Sequence, residues 1–162
     1  MTSPFSSTIG SAIDNKLAIW DKRFMELCET IAEWSEDRGR KVGCVIVGEG
    51  NTILSTGYNG LPRGVSALEE NRHDRTSGEK YFWFEHAERN AIFNAARAGI
   101  SLRNSKMYAN HYPCADCSRA IIQSGIIELA TRKRPEADQK FGQSMNISEQ
   151  LFSEAGVNVR YL

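Results

Sequence analysis

The chain has 162 residues, of which 41% are hydrophobic and 25% charged, the length and composition of one soluble globular domain. Twenty Lys+Arg balance twenty Asp+Glu, which argues against a protein that mainly coats nucleic acid, while leaving room for a local basic pocket. No apolar run approaches the roughly 20 residues of a membrane span.

The opening stretch, MTSPFSSTIGSAIDNK, lacks the basic start and apolar core of a signal peptide. A cytoplasmic location is therefore expected, where the four cysteines point to metal or catalysis before disulfides. Residues 1–14, rich in Ser and Thr and without period, are expected to form a flexible arm, and 15–162 a single domain. From Asn15 to about Arg38, apolar Leu17, Ile19/Trp20, Phe24, Leu27/Cys28, Ile31 and Trp34 recur at helical spacing. Gly39 ends that helix. Val42–Val47 and Thr52–Tyr58 read as strands joined through Gly-Glu-Gly-Asn, a hairpin signal. A loop then runs from Asn59 to about Tyr81, long enough to imply function or disorder.

Beyond it, the pattern predicts a helix over Glu85–Ala98, a strand over Lys106–Asn110, and a helix over Pro113–Ser124. A strand over Ile126–Thr131, a helix over Asn146–Ala155 and a strand over Val157–Tyr161 follow. The order α-β-β-α-β-α-β-α-β implies an α/β protein whose sheet is covered on its faces. Cys28, on the apolar helix face, and Cys44, inside a strand, are expected to be packed thiols.

Two short motifs carry chemistry. His86-Ala87-Glu88 opens one helix, and Pro113-Cys114-Ala115-Asp116-Cys117 opens another. Alone, a His-x-Glu says almost nothing, and a C-x-x-C is divided between metal, redox and packed-thiol readings. Together they say much more. A helix N-terminus favours the thiolates a metal needs. His86, Cys114 and Cys117 make three ligands and leave the fourth tetrahedral position for water, the catalytic pattern rather than the structural one. His111 and His73 are weaker candidates for a fourth ligand. At an irregular first turn His86 and Glu88 can face the same metal, so Glu88 can take a proton from an activated water and pass it to a substrate nitrogen.

The pattern H-x-E…P-C-x-x-C is that of the zinc nucleobase deaminases. HAERNAI and HYPCADC, preceded by KVGCVIV and GYNGLPRG, resemble the deoxycytidylate (dCMP) deaminases of the cytidine deaminase-like superfamily over about residues 15–131. The resemblance implies a three-layer α-β-α fold with a mixed five-stranded sheet flanked by helices. It also implies zinc, one per chain, held by His86, Cys114 and Cys117, with Glu88 as the catalytic proton shuttle. Hydrolytic deamination of dCMP to dUMP is the expected activity.

By the same resemblance Asn59 and the Ala87 backbone N–H contact the substrate, with Ser35, Arg38, Arg63 and Tyr112 completing the pocket. One departure bears on the phosphate. Where the family often reads Ser-Lys/Arg-Asp, this chain has Ser35-Glu36-Asp37-Arg38, so Glu36 replaces an expected cation; Arg38, Arg40, Lys41 and Arg63 lie nearby in sequence, and Arg38 and Arg63 are the side chains expected at the phosphate. Tyr81–Phe84 is expected to plug the core rather than stack on the base. The family further implies a homo-oligomer, hexamer or dimer, and control by dCTP and dTTP with Mg2+, for which Arg97 is the candidate residue. A small-molecule nucleotide is the expected partner, with no nucleic acid and no membrane. The alternatives are another base or nucleoside (guanine, adenine in tRNA, a pterin-like ring) and a non-catalytic zinc- or nucleotide-binding module.

Overall fold

The computed structural model describes residues 4–134 and 141–162, with side chains from residue 15 onward. Helix α1 spans Pro4–Ala32, so the chain is helical well before Asn15 and stops short of Arg38. Both differences have local causes. Pro4 suits a first helical turn, where its missing N–H costs nothing, and no further proline interrupts the run to Ala32. At the other end Ser35 Oγ accepts the Asp37 N–H at 3.1 Å, and Asp37 Oδ1 accepts the Gly39 N–H at 2.7 Å. Side chains that capture nearby backbone donors compete with helix, and here they win.

Strands β1 (Gly43–Val47) and β2 (Ile53–Tyr58) form the expected hairpin. After the long loop come a one-turn helix α2 (Lys80–Trp83), absent from the sequence reading, and α3 (Ala87–Ala98). Strand β3 (Lys106–Ala109), helix α4 (Ala115–Gln123), strand β4 (Glu128–Thr131), helix α5 (Gly142–Ala155) and strand β5 (Asn158–Tyr161) complete the chain. The five strands lie in the order β2-β1-β3-β4-β5. β1 is antiparallel to both neighbours, and β3, β4 and β5 run parallel. A mixed five-stranded sheet is thus what the chain builds.

Period-2 alternation divides the core into two. Val45, Val47 and Tyr108 face α1, packing on Phe24, Met25, Cys28 and Ile31. Cys44, Ile46, Met107 and Leu129 face the other helices, packing on Ala87, Ala91, Ala95, Ile121 and Phe152. Strand β1 is buried on both faces, which is why it reads as a continuous apolar run. Cys28 and Cys44 are packed thiols, both fully buried.

The placement of α3 depends on what is missing from β2. A Cβ on Gly57 would overlap the Ala91 nitrogen and the Ala87 carbonyl oxygen, so helix and strand meet backbone to backbone. Ser55 Oγ donates to Ala91 O at 2.7 Å, while the Asn90 and Asn94 amides donate to the Tyr58 and Thr56 carbonyls at 2.8 and 2.7 Å. The edge strand thereby has carbonyls covered that would otherwise be open to pairing.

Gly57→Ala is expected to lose about 3 kcal/mol or more in urea unfolding, the upper end of overpacking, because both obstacles are backbone. Gly142→Ala is the control: nothing lies within 4 Å of the new Cβ, and stability should hold or rise by up to about 1 kcal/mol. Wild-type stability in Gly57→Ala would contradict this seating of α3.

Candidate metal centre and active site

His86 is the N-cap of α3, with φ −80° and ψ 152°, and Cys114 is the N-cap of α4, with φ −79° and ψ 171°. Extended backbone at each cap releases the side chain from the helical spiral, and the two helix starts converge. His86 Nδ1 lies 3.4 Å from Cys114 Sγ and 3.4 Å from Cys117 Sγ. All three ligand atoms fall within 4.8 Å of one another. Ordinary Zn–N and Zn–S bond lengths place tetrahedral N and S ligands about 3.5 Å apart, so this set fits zinc.

Among the described residues no other group of three or more His, Cys, Asp or Glu converges in this way. No all-oxygen cluster of the kind Mg2+ prefers is among them. Neither suggested fourth ligand joins the set. His111 Nε2 accepts from Arg40 Nη1 at 2.7 Å, since an arginine has only donors to offer. His73 Nε2 donates to the Ala67 carbonyl at 2.9 Å, and its ring meets the edge of Phe84.

Without metal the three ligands share protons unequally. The Cys117 hydrogen bond and the His86 ring hold the Cys114 thiol down at about 4 despite burial. The Cys114 hydrogen bond takes His86 up to about 9 against the opposing effect of burial. Cys117 is pushed up by its hydrogen bond to Cys114 and by burial. A metal requires two thiolates and a neutral imidazole, so its binding releases protons. Glu88, in the first turn of α3, is only 4% exposed, and burial raises its carboxyl above the ordinary range.

The Cys motif is held from behind by a helix that begins earlier than its sequence pattern indicates. Ser144 Oγ of α5 accepts the Ala115 N–H at 2.8 Å, and Ser148 Oγ donates to the Pro113 carbonyl at 3.0 Å. Neither serine was singled out by sequence reasoning. Their only signal is a spacing of four on one helix face.

In front of the metal ligands opens a cleft of about 640 Å³ including its mouth and the solvent within it. Asn59, Ala87, Glu88, His86 and Cys114 line it, with Arg40, Arg75 and Lys80 as its cations. Several expected substrate contacts lie elsewhere. Arg38 makes two hydrogen bonds to Glu70 at 2.5 and 2.9 Å on the surface. Arg63 donates to Asn94 Oδ1 at 2.5 Å. Ser35 is buried, its hydroxyl donating to the Asn59 carbonyl at 2.5 Å. Tyr112 is turned away, 1% exposed and stacked on Tyr161. Arg97 is exposed on the last turn of α3 and does not line the cleft.

The aromatic run is divided rather than plugged into the core. Phe84 is buried and Phe82 is 88% exposed. Trp83 lies beneath the Arg72 guanidinium, and Tyr81 lines the cleft beside Phe141.

Residues 18–132 match the cytidine and deoxycytidylate deaminase zinc-binding region. A deaminase of Aliivibrio fischeri, itself uncharacterized, is 36% identical over 144 residues, covering 88% of this chain and 93% of the relative. Human deoxycytidylate deaminase is 33% identical over 148 residues, covering 87% of this chain and 78% of that protein. The crystal structure of the dCMP deaminase from cyanophage S-TIM5 in complex with dCMP and dUMP superposes with a TM-score of 0.70 at 28% identity, covering 87% and 95% of the two chains. The zinc-type ligand set at paired helix starts, the buried glutamate beside it and these matches agree: the chain belongs to the cytidine and deoxycytidylate deaminase family.

Proposed function

We propose that the protein is a zinc-dependent hydrolytic deaminase converting dCMP and water to dUMP and ammonia, with one zinc per chain. The observation that carries this reading is the buried Glu88 placed beside the His86–Cys114–Cys117 set at the base of an open cleft. A structural metal site has no need of such a carboxylate. Bound zinc supplies Lewis acidity that brings the pKa of a water to near neutrality.

The rest falls to the chain's own groups. Glu88 accepts a proton from the attacking water at a carboxylate oxygen and delivers it to the pyrimidine N3. After the water oxygen has bonded to C4, Glu88 takes the remaining proton from that oxygen and passes it to the departing amine, so that the C4–N bond breaks to leave a C4 carbonyl and ammonia. The Ala87 backbone N–H, at the first helical position of α3, holds the ring, and the cleft wall of Tyr81, Phe84 and Phe141 excludes water from it.

For the phosphate, the reading turns to Arg75. It lines the cleft and has no hydrogen bond or ion pair to another described residue, whereas Arg38 and Arg63 are engaged elsewhere. A phosphate carries about −1.5 to −2 charges at neutral pH, and a guanidinium can grip it with two parallel hydrogen bonds. A cytoplasmic location is supported by the four cysteines, two packed in the core and two at the metal set, with none in a disulfide. No helix of the described residues is long and apolar enough to cross a membrane. Assembly into a dimer or hexamer is supported by exposed Phe82, Leu68 and Trp34.

Elemental analysis should find one zinc per chain in the purified protein and none in Cys114→Ala or Cys117→Ala, with a fall in apparent stability because metal binding is coupled to folding. Full zinc in either variant would remove that cysteine from the site.

Glu88→Gln should keep its zinc and fold yet lose about 10²–10⁴-fold in kcat. Near-normal ammonia release by that variant would exclude the proton shuttle.

Side-by-side rates on dCMP, CMP, deoxycytidine and cytosine test the substrate. dCMP should exceed deoxycytidine in kcat/KM by about tenfold or more, the worth of one charge-assisted contact. Arg75→Met should close that gap with deoxycytidine turnover unchanged. Equal efficiency on both in the wild type would move the protein to the nucleoside or base deaminases.

A further inference from the structure

The excursion between β2 and α3 is pinned at both ends. The Gly60 N–H donates to the Glu85 carbonyl at 3.0 Å, and the Glu85 N–H returns the bond at 2.8 Å. Besides the Leu61 N–H, which donates to Glu36 Oε1 at 2.9 Å, three side chains of the excursion strap it onto the 35–41 turn. Arg38 meets Glu70 at the surface. Arg75 passes over Gly39, where a Cβ would lie 3.2 Å from the Arg75 Cδ. Lys80 Nζ pairs with the Asp37 carboxylate, and these two side chains are 8% and 3% exposed. Only the last of the three is buried.

Asp37 is the hub of that pair's surroundings. Its Oδ2 accepts from Asn59 Nδ2 at 2.7 Å and its Oδ1 from the Gly39 N–H at 2.7 Å. Asn59 Nδ2 also donates to the Arg40 carbonyl at 2.9 Å, and Asn59 Oδ1 accepts the Val42 N–H at 2.7 Å. Both amide protons of Asn59 are therefore committed, and the orientation of its amide is dictated by an acceptor at Asp37. Lys80, Asp37, Asn59 and Val42 all line the cleft.

We propose that Lys80 is a positioning residue: by neutralising buried Asp37 it keeps that carboxylate an acceptor, which orients Asn59 and sets the cleft wall between Val42 and Asn59. Without Lys80 an uncompensated buried carboxylate either takes a proton, becoming a donor toward an amide that also donates, or draws in water. In either case the Asn59 amide loses its fixed orientation and the Val42 N–H loses its partner. The inference rests on the deaminase reading for what the wall receives, but not for the wall itself.

The test uses the full-length zinc protein with Lys80→Met, Lys80→Arg and the double variant Asp37→Leu/Lys80→Met. Amide hydrogen exchange at Val42 should be about tenfold faster or more in Lys80→Met, and KM for dCMP should rise about tenfold with kcat little changed. Lys80→Arg should restore both. The double variant, which buries no unpaired charge, should recover thermal stability while KM stays high. Unchanged Val42 exchange in Lys80→Met, or a double variant that recovers KM together with stability, would reduce the pair to a structural one and overturn the proposal. A wild-type protein inert toward dCMP would overturn the deaminase reading alone, and the exchange measurement would still decide the positioning.

Discussion

The contact of α3 with β2 through Gly57, with no side chain between them, is the constraint on which the rest of the site depends. α3 carries His86 at its cap and Glu88 in its first turn, and its asparagines hold the backbone of the edge strand. The sulfurs arrive from α4, seated by α5 through Ser144 and Ser148. Two independently anchored helices must therefore place ligands to within the few tenths of an ångström a zinc site tolerates. Backbone-to-backbone contact is the stiffest way to do this, because no rotamer stands between helix and sheet.

The site also sets local helix stability against chemistry. N-cap positions favour Ser, Thr, Asp or Asn, whose side chains satisfy free N–H groups for about 1 kcal/mol. His86 and Cys114 occupy both caps and make no such bond. What the positions offer instead is extended backbone that frees the side chain, and a positive helix terminus that stabilises thiolate. At the Cys114 helix the loss is partly offset by the Ser144 hydroxyl accepting the Ala115 N–H.

The metal ligands and Glu88 were legible in the sequence because zinc chemistry restricts residue type, and because both motifs sit where apolar periodicity begins. Strand β1 was legible for a similar reason, since it is a short apolar run bounded by turn residues. Elsewhere the period misled. Trp34 continues the spacing of α1, yet the Ser35 and Asp37 side chains had already taken the backbone donors. Two cations of the cleft, Arg75 and Lys80, escaped the sequence for a different reason. Arg38 and Arg63 lie next to recognisable motifs, whereas Arg75 and Lys80 come from an aperiodic segment whose route over the 35–41 turn is a tertiary fact. Tyr112 immediately precedes the Pro-Cys motif, but it turns to the opposite side and stacks on Tyr161. Proximity in sequence says nothing of that choice.

The reciprocal bridge between Gly60 and Glu85 makes the segment between them, topologically, an insertion into a framework already closed beneath it. Doubling the length of a closed loop costs only about 0.6 kcal/mol in entropy, although Arg63 ties this segment to Asn94 of α3. Chain can thus be added, removed or rewritten above the bridge while His86, Cys114, Cys117 and Glu88 keep their places. A scaffold divided in this way can acquire new substrates by editing one segment, leaving its bond-breaking apparatus untouched.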